Sequence, residues 1–174
     1  MEDTDIGRRI FRLQGKVPAS NSVEIASPHS PTKSLGLVGR YLYICYKVLP
    51  GKTASFHFDF IMQDGNTLRL TLSTLTSEPK SKADSNPQLP LEASGKWTIY
   101  CVDLELSFKD LKAFPKSNLF RKFKHELSSI TLCSDSFVRG IYTSPNLYNI
   151  AVGFLHLGHA KRNKLQKAKD RHLG

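Results

Sequence analysis

At 174 residues, with 40% hydrophobic and 10% aromatic side chains, the chain is long and apolar enough for one sizeable core and too apolar for a disordered class. No run approaches the roughly 18 apolar residues of a membrane span. The acidic start Met-Glu-Asp-Thr-Asp lacks the apolar stretch of a secretory signal. The formal net charge of +10 points to a polyanionic partner.

Two short segments hold that surplus. Residues 109–124 carry Lys109, Lys112, Lys116, Arg121, Lys122 and Lys124 against Asp110, and residues 156–174 carry Lys161, Arg162, Lys164, Lys167, Lys169 and Arg171 against Asp170. Each is net +5, while the rest of the chain balances 13 basic against 13 acidic side chains. A charge run is usually just a solvated face; the balance elsewhere is what favours a binding reading. Cys45, Cys101 and Cys133 are an odd, scattered set inside apolar runs, as expected of reduced thiols in an intracellular protein rather than a disulfide frame or zinc site.

In chain order, Arg8–Gly15 is expected to form a first strand, and Ser22–Ala26 a short one with Val23 and Ile25 inward. Gly36 and Gly39 suit a bend entering the next strand. From Tyr41 to Leu49 both faces are apolar, the pattern of a strand covered on both sides. Pro50-Gly51 signals a turn, and Phe56, Phe58, Phe60 and Met62 then alternate with polar neighbours. Residues 40–63 therefore read as a central β-hairpin. Asp64-Gly65-Asn66 is a second turn, followed by alternating Leu68, Leu70 and Leu72.

Residues 76–95, rich in proline and small polar side chains, are expected to be a long flexible loop. Trp97–Leu104 is another two-faced strand. Phe108–Phe114 suits a helical turn or two ended by Pro115. Leu119, Phe120, Phe123 and Leu127 are spaced for a short amphipathic helix or an extended basic crossing. Ser128–Cys133 and Phe137–Thr143 are strands flanking Ser134-Asp135-Ser136, and Leu147–Phe154 is a last apolar run. These elements predict an all-β, jelly-roll-like sandwich over residues 8–154, with about eight antiparallel strands and at most one short helix, and a basic tail over 155–174.

Catalytic and metal-binding patterns are weak. His156-x-x-His159 has no carboxylate or thiol nearby to complete a metal site. His57 and Asp59 suit a surface cross-strand pair. Asp103 and Glu105 suit a solvated strand end better than a glycosidase pair, which needs carboxylates facing across a cleft. Nucleophile elbows and phosphate-binding glycine loops are missing, so no enzyme activity and no cofactor are expected. Nucleic acid ranks second as partner, because the base-stacking aromatics are not interleaved with the charges. An acidic protein surface ranks first.

Thr32-Lys-Ser-Leu-Gly-Leu-Val-Gly-Arg-Tyr-Leu-Tyr43, Gly95-Lys-Trp-Thr with Asp103-Leu104, Ser129-Ile-Thr-Leu-Cys133 and Val138-Arg-Gly-Ile-Tyr-Thr-Ser144 follow one another in a familiar order. Over residues 9–150 the chain resembles the cilia- and flagella-associated protein 20 domain family, in particular the version at the N-terminus of its large centriolar WD-repeat member. The resemblance implies a jelly-roll sandwich, similar to carbohydrate-binding modules, with no enzymatic role. It further implies binding to tubulin and microtubules, alongside other ciliary or centriolar proteins, in the cytoskeleton of an axoneme, centriole or basal body. Arg139 matches a basic family position. Family members usually carry a further segment before the strand matched by Ile10–Gly15; Met1 falls almost on that strand here, as expected of a truncated form. No WD repeats follow. A nucleic-acid-binding or carbohydrate-binding sandwich is the alternative, and the latter would require an exposed aromatic row in place of a buried Trp97 and buried tyrosines.

Overall fold

Strand β5 (Tyr41–Lys47) is buried along nearly its whole length, as its unbroken apolar sequence requires. The computed structural model describes residues 1–15, 21–27, 34–80, 86–108 and 125–148. It sets β5 inside a four-stranded sheet of order β3 (Phe11–Leu13), β11 (Ser136–Ser144), β5 and β9 (Thr98–Asp103). A five-stranded sheet of order β4 (Ser22–Ile25), β10 (His125–Ser134), β6 (Ala54–Met62), β7 (Thr67–Ser73) and β8 (Gln88–Pro90) packs against it. A ribbon of β1 (Glu2–Asp3) and β2 (Arg8–Arg9), and the five-residue helix α1 (Leu104–Phe108), complete the described elements. The all-β, jelly-roll-like sandwich is what forms. One pairing departs from the antiparallel expectation: β7 and β8 run parallel.

The core lies between the sheets. Leu42, Ile44 and Tyr46 of β5 meet Phe56, Phe58 and Phe60 of β6, and the Tyr46 and Phe56 rings stack edge-on at 5.9 Å. Leu70, Leu72, Leu127 and Leu132 fill the remaining inner positions. Burying each such side chain stabilises the fold by ~1.5–3 kcal/mol. The alternation of β6 is obeyed strictly, with its phenylalanines in and Ser55, His57 and Asp59 on the outer face.

The expected hairpin over 40–63 does not form. Tyr41–Lys47 pairs with β11 and β9, whereas Ala54–Met62 pairs with β10 and β7. Pro50-Gly51, with Gly51 at φ 73°, is therefore an arch from one sheet to the other. A second arch lies beside it, where β10 passes to β11 through Ser134, which adopts φ 72°. Lys52 Nζ pairs with Asp135 at 3.3 Å, and the Thr53 and Ser134 hydroxyls meet at 3.3 Å, fastening the two corners together. The turn at residues 64–66 is a true hairpin between β6 and β7.

Other expectations are corrected locally. The first strand breaks at Ile10, which turns into a small cluster with Cys45 and Trp97. Val23 occupies an inward register opposite Leu132, but β4 is an edge strand and leaves it 49% exposed. Part of the 76–95 segment is ordered: Leu89 and the buried Leu91 seal the core edge, and Gln88–Pro90 forms β8. Helix begins earlier than expected, at Leu104, because Asp103 Oδ1 accepts the Leu106 N–H at 3.2 Å and caps it. The helical spacing ending at Leu127 gives way to sheet, since His125 and Leu127 pair with Met62 and Phe60. Residues 109–124 and 149–174, including His156, His159, the end of the last apolar run and the tail, lie outside the described residues.

Gly36 and Gly39 do bend the chain into β5, at φ 69° and 150°. A Cβ at Gly39 would lie 2.7 Å from the Ser144 backbone, whereas one at Gly51 would meet nothing within 4 Å. Gly39→Ala is expected to cost ~3 kcal/mol or more, through strain plus collision. Gly51→Ala should cost only about 1 kcal/mol of left-handed backbone strain. Chemical denaturation of the two variants checks this, and equal losses would remove the close approach as a constraint.

Candidate interaction surface

Of the predicted site residues, Arg139 alone falls among the described residues. Lys109, Lys112, Lys116, Arg121, Lys122 and Lys124, like Lys161, Arg162, Lys164, Lys167, Lys169 and Arg171, lie outside them. Arg139 sits at a bulge in β11, where the register with β5 shifts between Val138 and Gly140. A bulge re-aims its extra side chain. Here the guanidinium reaches the Cys45 thiol on the outer face of the four-stranded sheet. Burial pushes that thiol up, and the arginine partly counters the shift. All three cysteines are free, and burial raises each thiol above its usual range.

That outer face is covered rather than wet. Its centre is Lys47, whose side chain is only 10% exposed. The Lys47 ammonium donates to Asp3 Oδ2 at 2.9 Å and to Asp5 Oδ2 at 2.8 Å, and lies over the rings of Trp97 and Phe137 at 5.1 and 5.3 Å. Trp97 Nε1 donates to Asp3 Oδ1 at 3.1 Å, so both carboxylate oxygens of Asp3 are engaged. Burial alone would lower the Lys47 ammonium, but the two carboxylates hold it above its ordinary value. Burial alone would raise Asp3, yet the bonds from Lys47 and Trp97 hold it below. This network pins the β1–β2 ribbon over Ile6, Ile10, Cys45 and Trp97 as a third layer.

Pinning the ribbon engages two of its three acids, Asp3 and Asp5, and leaves Glu2 opposite Arg9 in the ribbon. Arg8, Arg9 and Arg12 are exposed, and none of them forms an ion pair among the described residues. Arg12 stacks over Phe137 at 5.6 Å on the same outer face. The result is a basic run of Arg8 and Arg9 on the ribbon and Arg12 on β3, the last in the sheet that also carries Arg139. Sequence reasoning missed it by treating the body as evenly balanced. The Arg-Arg-x-x-Arg spacing was the available signal, hidden by Glu2, Asp3 and Asp5 a few residues earlier.

The other end of this face displays Tyr142, 58% exposed, and Tyr148, whose N–H donates to the Tyr43 hydroxyl at 2.8 Å. Trp97, Tyr43 and Tyr46 are buried as expected, but Tyr41 and Tyr100 are only half-buried and Tyr142 and Tyr148 are exposed. Asp103 and Glu105 are not a solvated pair. Arg40 grips them at 2.7 and 2.9 Å beside a cleft walled by Val38, Met62, His125 and Glu126. Both carboxylates are committed to that guanidinium, an arrangement that holds the strand end rather than one poised for proton transfer. His57 and Asp59 serve structure too, bonded to Thr71 at 3.0 Å and to Arg69 at 2.7 Å. Among the described residues no cluster of histidine, cysteine and carboxylate ligands is suited to a metal.

Asp3→Asn should leave Lys47 buried against Asp5 alone and destabilise the ribbon by ~3 kcal/mol. Trp97 is the sole tryptophan, so a red-shifted emission reports the loss directly. Because the folded Asp3 value is depressed, its contribution is present above the unfolded carboxylate value. It is lost as pH falls through the lower folded one, so the wild-type emission shift should begin only below about pH 4. An unchanged emission in Asp3→Asn would show that the ribbon is held by its apolar contacts.

Comparison with known proteins agrees with this architecture. The CFA20 domain model matches residues 1–152, so the ribbon belongs to the matched region, which begins earlier than the resemblance read from the sequence. WD repeat-containing protein 90 of Xenopus tropicalis is 34% identical over 176 residues, covering 87% of this chain and 9% of that protein. The Homo sapiens protein of the same name is 33% identical over 164 residues, covering 86% and 9%. Centriole proteome protein 16 of Chlamydomonas reinhardtii is 29% identical over 167 residues, covering 94% and 8%. The chain thus spans less than a tenth of the length of these relatives. With a family model matched across nearly all the described residues and the expected sandwich in place, the chain belongs to the CFA20 domain family.

Proposed function

We propose that this chain is a non-enzymatic module of the ciliary or centriolar cytoskeleton that binds microtubules through basic surfaces on a β-sandwich. The observation that carries the reading is family membership, joined by a relative whose name places it in the centriole proteome. Charge supplies the mechanism. Tubulin is acidic, and cationic side chains freed of local acids speed and strengthen association with such a surface. Arg8, Arg9 and Arg12 supply that charge on the folded body, with Lys109–Lys124 and Lys161–Arg171 as the further contributors. Asp59, Asp103 and Glu105 are held by arginines and His57 by Thr71, which favours a binding role over catalysis.

The nucleic-acid reading uses the same charges but needs accessible aromatics among them. Phe137 is half-buried between Arg12 and Lys47. The carbohydrate reading finds Trp97 under the ribbon with its indole N–H bound to Asp3, unable to offer a flat face to a sugar.

Microtubule co-pelleting of the whole chain at two salt concentrations tests the proposal, alongside an oligonucleotide competitor. Pelleting should fall with salt. Reversing Arg8, Arg9 and Arg12 to Glu, or Arg121, Lys122 and Lys124 to Glu, should each weaken it about tenfold, at up to ~1 kcal/mol per exposed ion pair. Ending the chain at Phe154 should weaken it further. Absence of pelleting at low salt by a folded chain overturns the proposal, and preference for the oligonucleotide at equal salt moves the charges to nucleic acid.

A further inference from the structure

An open sandwich has four sheet edges, and here they are unequal. β3 and β4 are three and four residues long, and β8 is three residues ending in Pro90. Such edges are blunted against further pairing by shortness or proline. The fourth edge is β9, Thr98–Asp103, with six residues, no proline and no lysine within it. Among the described residues it pairs with β5 on one side alone.

The register shows which groups face outward. Leu104 N–H donates to Arg40 C=O at 2.9 Å, and Tyr41 lies opposite Asp103. Antiparallel alternation then gives the bonds to β5 to Val102, Tyr100 and Thr98, and turns the N–H and C=O of Ile99 and Cys101 and the N–H of Asp103 away from the sheet. The Asp103 carbonyl accepts from the Ser107 hydroxyl at 2.8 Å.

The outward N–H groups are spaced evenly about Cys101, and the charges at the two ends of the strand are opposite in sign. Pairing β9 antiparallel with itself sets Cys101 against Cys101, Ile99 against Asp103, and Tyr100 against Val102 on the inner face. Just past the strand, the exposed Lys96 of each copy, which forms no ion pair among the described residues, runs toward the other's Arg40–Asp103–Glu105 cluster, in which one cation against two acids leaves a net negative charge. We propose that the β9 edge is a self-association surface, joining two copies of this chain through an antiparallel β9–β9 pair centred on Cys101 into one continuous eight-stranded sheet. Backbone bonds supply the affinity, as in other strand additions, and the Lys96-to-acid match fixes the direction.

The test uses the full chain. Light-scattering mass measured over a concentration series should show a monomer–dimer equilibrium, and a short bismaleimide should link Cys101 to Cys101, since directly opposed hydrogen-bonded residues lie about 5.5 Å apart at Cα. Cys101→Pro removes an outward N–H without touching the β5 ladder. It should raise the dimer dissociation constant about 30-fold, two bonds across the two-fold at ~1 kcal/mol each, with an unchanged circular dichroism spectrum. Lys96→Glu should weaken the dimer, and Cys101→Ser should keep it while losing the cross-link. A chain monomeric throughout the series, a cross-link mapping to Cys45 or Cys133 alone, or a dimer unaffected by a folded Cys101→Pro each overturns the proposal. If Cys101→Pro fails to fold, the wild-type cross-link position and the Lys96→Glu mass decide by themselves.

Discussion

Lys47 is the constraint around which this sandwich is completed. It sits at the end of the most buried strand, in a position whose alternation sends it to the outer face with Tyr43 and Cys45. An ammonium there, between the Trp97 and Phe137 rings, is stripped of most of its water. Desolvating a charge costs several kcal/mol unless a counter-charge and hydrogen bonds replace the water. Asp3 and Asp5 provide both, and Trp97 completes the shell of Asp3. The first ten residues, whose two-residue strands could not hold a ribbon alone, are thereby fixed as a third layer.

That internal demand has an external consequence. Carboxylates turned inward to Lys47 cannot neutralise the arginines that follow them in the ribbon and β3. The body is balanced in sum yet polarised in space, because its ion pairs are distributed by packing needs. Arg40 holds Asp103 and Glu105 at the β9 end, Arg69 holds Asp59 on the five-stranded face, and Lys52 holds Asp135 at the arches. Each of these neutralises a cation within the fold. Arg8, Arg9 and Arg12 are what remains on the ribbon side.

The strands themselves were legible in the sequence because period-two patterning is a local property. Phe56, Phe58 and Phe60, and then Leu68, Leu70 and Leu72, announce both their strands and the hairpin between them. Partnership was not legible. Pro50-Gly51 looks the same whether the chain returns beside itself or crosses to the opposite sheet. The contrast between the two-faced burial of β5 and the one-faced burial of β6 was a clue that they belong to different layers. At Leu127, the described end of the helical spacing, strand forms instead through long-range pairing with Phe60, which no window of neighbouring residues contains. The Lys47 network was invisible for the same reason, since Asp3, Lys47 and Trp97 are far apart along the chain.

The two outer faces also differ in what they leave unspent. On the five-stranded sheet His57 meets Thr71, Ser55 meets Ser73, and Asp59 takes Arg69 and Ser129 together. Polar groups satisfied by their own cross-strand neighbours have little to gain from a partner, because any new bond must first break an existing one. On the four-stranded side, among the described residues, the arginines of the ribbon and β3 form no ion pair, the Tyr142 ring is open, and the outward β9 backbone has no partner strand. Among the described residues, unsatisfied groups therefore gather on the layer completed by the ribbon and along the edge beside it. The demand that placed the ribbon there is the burial of Lys47.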